Sequence, residues 1–134
     1  MTKVLVVDDS EFFRKIYSKV LSEGGFEVDT AENGKDAIEK MQSDPPQLVF
    51  LDFVMPVMTG EQVLSEMKKH DKLQNIPVIM LTSISAEIKG EELLSSGSLA
   101  AYLTKDKASG NEIVKKAKEV LGTSQKPLDP SAQN

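Results

Sequence analysis

The chain of 134 residues has the length of one ordinary domain and can bury a sizeable core without disulfides or metals. Its 16 basic and 21 acidic residues give a net charge of −5, which argues against nucleic acid on a broad basic surface and against anionic membranes. The absence of cysteine excludes disulfides, thiolate zinc sites and a thiol nucleophile. The single histidine excludes a multi-histidine metal site.

The N-terminal segment does not have the pattern of an export signal. It carries one lysine and a short apolar run, which the adjacent carboxylates of Asp8 and Asp9 interrupt. No apolar stretch approaches the roughly 20 residues of a membrane span. We therefore expect a cytoplasmic protein that does not insert into membranes.

Five short apolar runs predict five β-strands. Three of them are nearly continuous in Val, Ile and Leu, which is typical of strands covered on both faces. The second run is more polar, as expected of an edge strand. The runs are Val4–Val7, Phe26–Val28, Leu48–Leu51, Pro77–Leu81 and Leu99–Leu103.

Helical patterns separate and follow these runs. Apolar residues with helical spacing form a core-facing stripe before Gly24, namely Phe13, Ile16, Tyr17, Val20 and Leu21. Asn33 opens the second helix. Thr59 and Ser109 have capping-box spacing and open the third and fifth. The fourth helix, about Ser85–Leu94, is the weakest because Gly90 lies in its middle.

The alternation of strands and helices predicts an α/β sandwich of three layers around a parallel sheet. We expect the domain to span residues 1–122 because Gly122 is expected to end the fifth helix. Residues 123–134 contain two prolines and no periodicity, which predicts a disordered tail.

Reactive side chains follow four of the five runs. Asp8 and Asp9 follow the first, Asp52 the third, Thr82 the fourth and Lys105 the fifth. Sites in open parallel sheets form outside the carboxyl ends of the strands. If the second strand lies at the edge, one rim gathers three carboxylates, a hydroxyl and an ammonium. This arrangement fits the order 2-1-3-4-5 of a flavodoxin-like (βα)5 fold.

Three neighbouring carboxylates repel each other unless a cation lies among them. Mg2+ prefers such hard oxygen ligands, together with water and phosphate oxygens. A phosphoryl group could share its oxygens between the metal, Lys105 and Thr82. One carboxylate could then act as the nucleophile and form an aspartyl phosphate.

Six segments around these residues form a recognisable set of motifs. They are Val4 to Ser10, Asn33-Gly34, Leu48 to Pro56, Met58-Thr59-Gly60, Pro77 to Ser83 and Tyr102-Leu103-Thr104-Lys105. With these motifs the sequence resembles the receiver domain of two-component response regulators, over essentially Lys3 to Leu121. The resemblance implies that Asp52 accepts a phosphoryl group from a histidine kinase or phosphotransfer protein.

The resemblance also implies roles for the neighbouring residues. Asp8, Asp9 and Asp52, with the backbone carbonyl of Val54, would hold Mg2+. Lys105 would pair with the phosphoryl group. Thr82 would form a hydrogen bond to this group and move inward, and the Tyr102 ring would turn inward with it.

The resemblance further implies how such a protein signals. A downstream protein would bind the face formed by helix 4, strand 5 and helix 5. The protein would catalyse only its own phosphorylation and dephosphorylation. We expect no direct contact with nucleic acid or membrane, and a monomer or a weak, phosphorylation-linked dimer. Chemotaxis signalling and phosphorelay shuttling both remain open.

Three features depart from the family or modify the expectation. Asp106 replaces the proline that usually follows the lysine, so we expect a trans or strained loop there. We expect no output domain after the fifth helix. Val54 and Ile84 lie two residues beyond Asp52 and Thr82, and their apolar side chains cannot orient an attacking water. We therefore expect slow self-dephosphorylation.

Three other functions are alternatives to this one. A phosphatase of the haloacid dehalogenase type needs Asp-x-Asp after the first strand, whereas this chain has Asp8-Asp9-Ser10; an assay on phosphate esters discriminates. A flavodoxin-like flavin carrier needs a phosphate-binding loop where this chain has two carboxylates, and yellow colour on purification would identify it. The third is a receiver that signals without phosphate, which the complete acidic site disfavours.

Overall fold

Strands and helices alternate five times in the computed structural model, which describes residues 2–82, 87–105 and 109–125. The strands are β1 (Lys3–Val7), β2 (Glu27–Ala31), β3 (Leu48–Asp52), β4 (Val78–Thr82) and β5 (Ala101–Thr104). The helices are α1 (Glu11–Glu23), α2 (Gly34–Ser43), α3 (Gly60–Lys68), α4 (Glu87–Ser95) and α5 (Gly110–Gln125).

The five strands form one parallel sheet of order β2-β1-β3-β4-β5, which confirms the predicted fold class. The more polar β2 lies at one edge, next to β1. In the register of the inner strands, Val7 lies opposite Leu51 and Asp52 lies opposite Leu81. The carboxyl ends of β1, β3, β4 and β5 therefore meet at one rim.

Alternate residues of the inner strands belong to two separate cores, because successive side chains of a strand point to opposite faces. Leu5, Val49 and Met80 belong to the core that includes buried side chains of α2 and α3. Val4 and Phe50 belong to the core that includes buried side chains of α1 and α5. Coverage of both faces explains why these strands are nearly continuous in apolar residues.

Side-chain caps start four of the helices and so fix where the loops at the rim end. Ser10 accepts a hydrogen bond from the backbone N–H of Phe13, and Asn33 accepts one from Asp36. Thr59 and Gln62 form a complete capping box. The hydroxyl of Ser109 accepts a hydrogen bond from the backbone N–H of Glu112. The starts of these four helices at the rim are therefore fixed by side-chain hydrogen bonds.

Two expectations about the helices are wrong. α5 does not end at Gly122 but continues to Gln125, because Gly122 does not adopt the positive φ of a helix-ending glycine. Ile16 is 39% exposed although it shares the spacing of the core-facing stripe of α1. The stripe is wider than the face that the sheet covers, so only Tyr17 and Leu21 are buried in this helix.

Several expectations concern residues outside the described ranges. They are the start of the fourth helix at Ser85, the apolar Ile84, the loop at Asp106 and the tail from residue 126 onward. Within the described ranges, no helix has the length and apolar character needed to cross a bilayer.

Candidate functional site

Three carboxylates meet at the rim formed by the ends of β1 and β3. Asp8 follows β1 directly and is fully buried, Asp52 ends β3 and is 5% exposed, and Asp9 is exposed. One oxygen from each carboxylate lies within 4.8 Å of the others. The strand register accounts for this proximity, since Val7 pairs with Leu51 and the next residues along the two strands are Asp8 and Asp52.

Lys105 reaches the same carboxylates from the end of β5. Its Nζ lies 2.9 Å from Asp8 Oδ2 and 3.4 Å from Asp52 Oδ2. The backbone N–H of Lys105 donates a hydrogen bond of 2.7 Å to the carbonyl oxygen of Thr82, which ties the ends of β4 and β5 together. The structure therefore brings the predicted acidic residues and the predicted lysine into one cluster.

Ser10, which precedes α1, and Arg14, in the first turns of α1, hold Asp8 in place. The backbone N–H of Ser10 donates a hydrogen bond of 2.9 Å to Asp8 Oδ1. The guanidinium of Arg14 donates one of 2.7 Å to the backbone carbonyl of Asp8. The sequence-based interpretation missed both contacts, although the closeness of Arg14 to the acidic pair in the chain was a usable signal.

The electrostatics of the cluster favour a cation. Burial, together with the negative charges of Asp8 and Asp9, raises the pKa of Asp52 from 3.8 to about 7, while Lys105 opposes this rise. One ammonium does not balance three carboxylates. All three side chains offer hard oxygen ligands, so the cluster could hold a divalent metal ion.

Two aromatic rings of α1 form the wall next to this cluster. The Phe13 ring centroid lies 4.4 Å from Lys105 Nζ. Phe13 stacks on Tyr17 with centroids 5.6 Å apart and an interplanar angle of 20°. Burial, together with the charges of Asp8 and Asp52, raises the pKa of Tyr17. The sequence-based interpretation assigned both rings to the core only.

The loop between β3 and α3 is tightly folded against the end of β3. The backbone N–H of Gly60 donates a hydrogen bond of 2.9 Å to the carbonyl oxygen of Phe53. A Cβ at Gly60 would lie 2.9 Å from the backbone oxygen of Asp52, so only glycine allows this approach. Val54 and Val57 project from the loop and are 66% and 86% exposed.

The two predicted switch residues lie on β4 and β5. Thr82 ends β4 and is fully buried. Tyr102 is half-buried, and its hydroxyl donates a hydrogen bond of 3.2 Å to Glu91 Oε1 on α4. The ring packs so closely on Gly90 that a Cβ there would lie 3.1 Å from Tyr102 Cγ. The glycine that weakens α4 in the sequence thus makes room for this ring.

Comparison with known proteins identifies relatives of the whole domain. The family model described as the response regulator receiver domain matches residues 4–118. Chemotaxis protein CheY of Halobacterium salinarum is 41% identical over 103 residues, which cover 77% of this chain and 83% of that protein. The polar-differentiation response regulator DivK of Brucella anthropi is 31% identical over 103 residues, covering 76% and 82% of the two chains.

Solved structures give the same result. Chemotaxis protein CheY4 of Vibrio cholerae superposes with a TM-score of 0.81 at 32% identity, covering 90% of this chain and 98% of that chain. A response regulator receiver domain protein from Clostridium thermocellum superposes with a TM-score of 0.83 at 22% identity, covering 93% and 98%. The second likeness supports the fold alone.

Proposed function

The chain belongs to the response regulator receiver family, and from this premise we propose that it is a phosphorylation-dependent switch whose phosphoacceptor is Asp52. The phosphoryl group would come from a histidine kinase or a histidine phosphotransfer protein. The observation that carries the proposal is the cluster in which Lys105 lies within 3.4 Å of both buried carboxylates.

The proposed transfer converts the Asp52 carboxylate into an acyl phosphate. A carboxylate oxygen of Asp52 attacks phosphorus, and the bond between phosphorus and the donor breaks. With a phosphohistidine donor, the imidazole nitrogen leaves with the electron pair and takes up a proton. With acetyl phosphate, acetate leaves. Lys105 is near enough to pair with the oxygens of the transferred group, and Thr82 ends the neighbouring strand.

The carboxylates of Asp8, Asp9 and Asp52 and the backbone carbonyl of Val54 are the ligands that we assign to Mg2+. The fit of the three carboxylates to a divalent ion rests on ligand oxygens that all lie within 4.8 Å of one another. Burial, followed by the charge of Asp8, raises the pKa of Asp52, and a bound cation would oppose this rise. When bound, Mg2+ would offset the charge of the carboxylates and of the phosphoryl oxygens. The buried position of Asp52 keeps bulk water away from the acyl phosphate.

Tyr102 and Thr82 are the residues that we assign to the conformational switch. A new dianion on Asp52 would draw the Thr82 hydroxyl inward, which frees space beside β5 for the Tyr102 ring. Since this ring packs on Gly90 and bonds to Glu91, its rotation would change the surface of α4 and β5. A downstream protein would read the face formed by α4, β5 and α5.

We further infer that signalling proceeds through protein contacts rather than through turnover of an outside substrate. The protein would catalyse only its own phosphorylation and dephosphorylation, in the cytoplasm, as a monomer or a weak dimer linked to phosphorylation. The named relatives act in chemotaxis and in polar differentiation, and both kinds of pathway fit a receiver of this form.

Incubation with acetyl phosphate tests the proposal. Intact-mass measurement should show one added phosphoryl group on the wild type in Mg2+ and none after Mg2+ is chelated. Asp52→Asn should gain none, whereas the control Asp71→Asn, at an exposed position outside the cluster, should behave as wild type. Equal phosphorylation of Asp52→Asn would refute the assignment of the phosphoacceptor.

A further inference from the structure

The aromatic ring of Phe13 contacts Lys105, whose two carboxylate partners are the proposed metal ligands. Lys105 Nζ lies 4.4 Å from the centroid of Phe13, well inside the distance of a cation–π contact. The same ammonium lies 2.9 Å from Asp8 Oδ2 and 3.4 Å from Asp52 Oδ2. It is thus held on three sides, by two carboxylates and one ring face.

Both carboxylate partners of Lys105 belong to the group that could hold a metal ion. A divalent cation among these oxygens repels the ammonium and competes for the same lone pairs. The Phe13 ring is not subject to this competition, because it offers no ligand atom to a metal ion. Once the carboxylates are occupied, the Phe13 face is what remains to keep Lys105 near Asp52.

We propose that Phe13 is a positioning residue that keeps the Lys105 ammonium beside Asp52 when the carboxylates are occupied by Mg2+. The inference rests on the proposed function, since it concerns the same lysine and the same phosphoacceptor. It adds a residue of α1 to the site, and the role of this residue is the electrostatic attraction between its ring face and the ammonium.

The surroundings of Phe13 make its ring a fixed platform. It stacks on Tyr17, which is 2% exposed and belongs to the core under the sheet. Phe12 and Phe13 form a T-shaped pair with centroids 5.4 Å apart and an interplanar angle of 74°. The Ser10 hydroxyl accepts a hydrogen bond from the backbone N–H of Phe13, which fixes the first turn of α1. The ring is therefore set in place before any ligand arrives.

Stepwise fluorination separates the electrostatic part of the ring from its packing. Mono-, di- and trifluorinated phenylalanine at position 13 keep the shape nearly unchanged while the negative potential of the ring face falls. The maximal rate of phosphorylation by acetyl phosphate should fall with each fluorine, by about threefold to tenfold over the series, without a matching rise in the half-saturating acetyl phosphate concentration. A flat series would overturn the proposal.

The adjacent Phe12 provides a matched control. It lies in the same turn of α1 and is 66% exposed, and it contacts the Phe13 ring rather than forming the face on which Lys105 lies. The same fluorinated series at position 12 should leave the maximal rate unchanged. An equal slope at both positions would show a general effect on α1 and would overturn the proposal.

A second measurement does not depend on phosphorylation. A lysine above a ring face has ε-methylene protons shifted upfield, and NMR should show this shift for Lys105 with and without Mg2+. The shift should disappear in Phe13→Leu. Its loss from the wild type on addition of Mg2+ would contradict the proposal. Failure of the wild type to accept phosphate would instead refute the proposed function and leave this measurement to decide the role of Phe13.

Discussion

Lys105 Nζ lies closer to Asp8 Oδ2, at 2.9 Å, than to Asp52 Oδ2, at 3.4 Å. The ammonium is therefore bonded more tightly to a carboxylate assigned to the metal than to the proposed phosphoacceptor. Asp8 is fully buried and Lys105 is its cationic partner, so loss of this contact without a replacing cation would leave a buried charge uncompensated. A metal ion bound among these carboxylates would compete with the ammonium for them.

Replacement of Lys105 should separate metal binding from phosphorylation. Lys105→Met removes a competing positive charge, so Mg2+ should bind about threefold to tenfold more tightly. Phosphorylation by acetyl phosphate should fall at least about tenfold, because the charge on the transferred group loses its ammonium partner. Lys116→Met, which removes only a surface ion pair with Glu119, is the control. Weaker Mg2+ binding in Lys105→Met would contradict the account.

Two glycine substitutions should have opposite effects on stability. Gly60→Ala places a Cβ 2.9 Å from the backbone oxygen of Asp52 and 2.9 Å from Cα of Phe53, so the free energy of unfolding should fall by about 1–3 kcal/mol. At Gly122 in α5, an added Cβ would meet no atom within 4 Å apart from the neighbouring backbone of its own helix. Gly122→Ala should therefore raise the free energy of unfolding by about 0.5–1 kcal/mol. Urea unfolding measures both, and a neutral Gly60→Ala would show that the loop is not closely packed there.

The loop after Asp52 contains a strained residue. Among the described non-glycine residues only Val57 has a positive φ, of 71°, which β-branched side chains adopt at a cost. Val57→Asn should therefore raise the free energy of unfolding by about 1 kcal/mol, since asparagine tolerates this conformation. The matched control is Val54→Asn, at the other exposed valine of the loop, and it should be nearly neutral. Equal changes would argue against strain.

The same control variant tests how long the phosphoryl group remains. Val54 is 66% exposed and lies two residues beyond Asp52, where its apolar side chain cannot orient an attacking water. The phosphorylated wild type should therefore lose phosphate slowly in Mg2+ without a phosphatase. Val54→Asn should accelerate the loss severalfold, because an amide can hold the water. Loss of phosphate from the wild type within seconds would count against this prediction.

Stability should depend on pH through Asp52. Its pKa is raised from 3.8 to about 7 by burial and by the charges of Asp8 and Asp9. Between these values the folded protein keeps a proton that the unfolded chain has lost. The contribution of Asp52 to stability is therefore fully present below about pH 4 and is lost as pH rises to 7.

Asp52→Asn removes this dependence. The free energy of unfolding of the variant should exceed that of the metal-free wild type. This difference should be about 1–3 kcal/mol larger at pH 8 than at pH 4. Excess Mg2+ should reduce the difference, because it offsets the charge of the carboxylates and stabilises the wild type by binding. Thermal unfolding across this pH range measures the effect, and a constant difference would indicate that Asp52 titrates normally.

The strands and the acidic rim were predictable from local patterns, and the strand order followed once the more polar second run was placed at the edge. Continuous apolar runs predict buried parallel strands, and residues after such runs meet at one edge. Asp8, Asp52 and Lys105 were placed together on this basis. The contact of Phe13 with Lys105 was not predictable, because it depends on how α1 is rotated against the sheet. Apolar spacing alone gave the same core assignment to Ile16, which is exposed.

The errors at helix ends have the same origin. Gly122 resembles a helix stop in the sequence, but glycine ends a helix only where it adopts a positive φ, which depends on the contacts of the following residues. Gly90 lies inside α4, where the sequence predicts an unfavourable residue. Its compensation, the close approach of the Tyr102 ring, required the packing of α4 on β5 to be known.

The most direct test of the central claim is to locate the phosphoryl group on the chain. Borohydride reduces an aspartyl phosphate to homoserine, which tandem mass spectrometry assigns to one position. After treatment with acetyl phosphate and Mg2+, the account predicts homoserine at position 52 and at neither position 8 nor position 9. Homoserine at position 8 or 9, or at no position in a folded protein saturated with Mg2+, would contradict it.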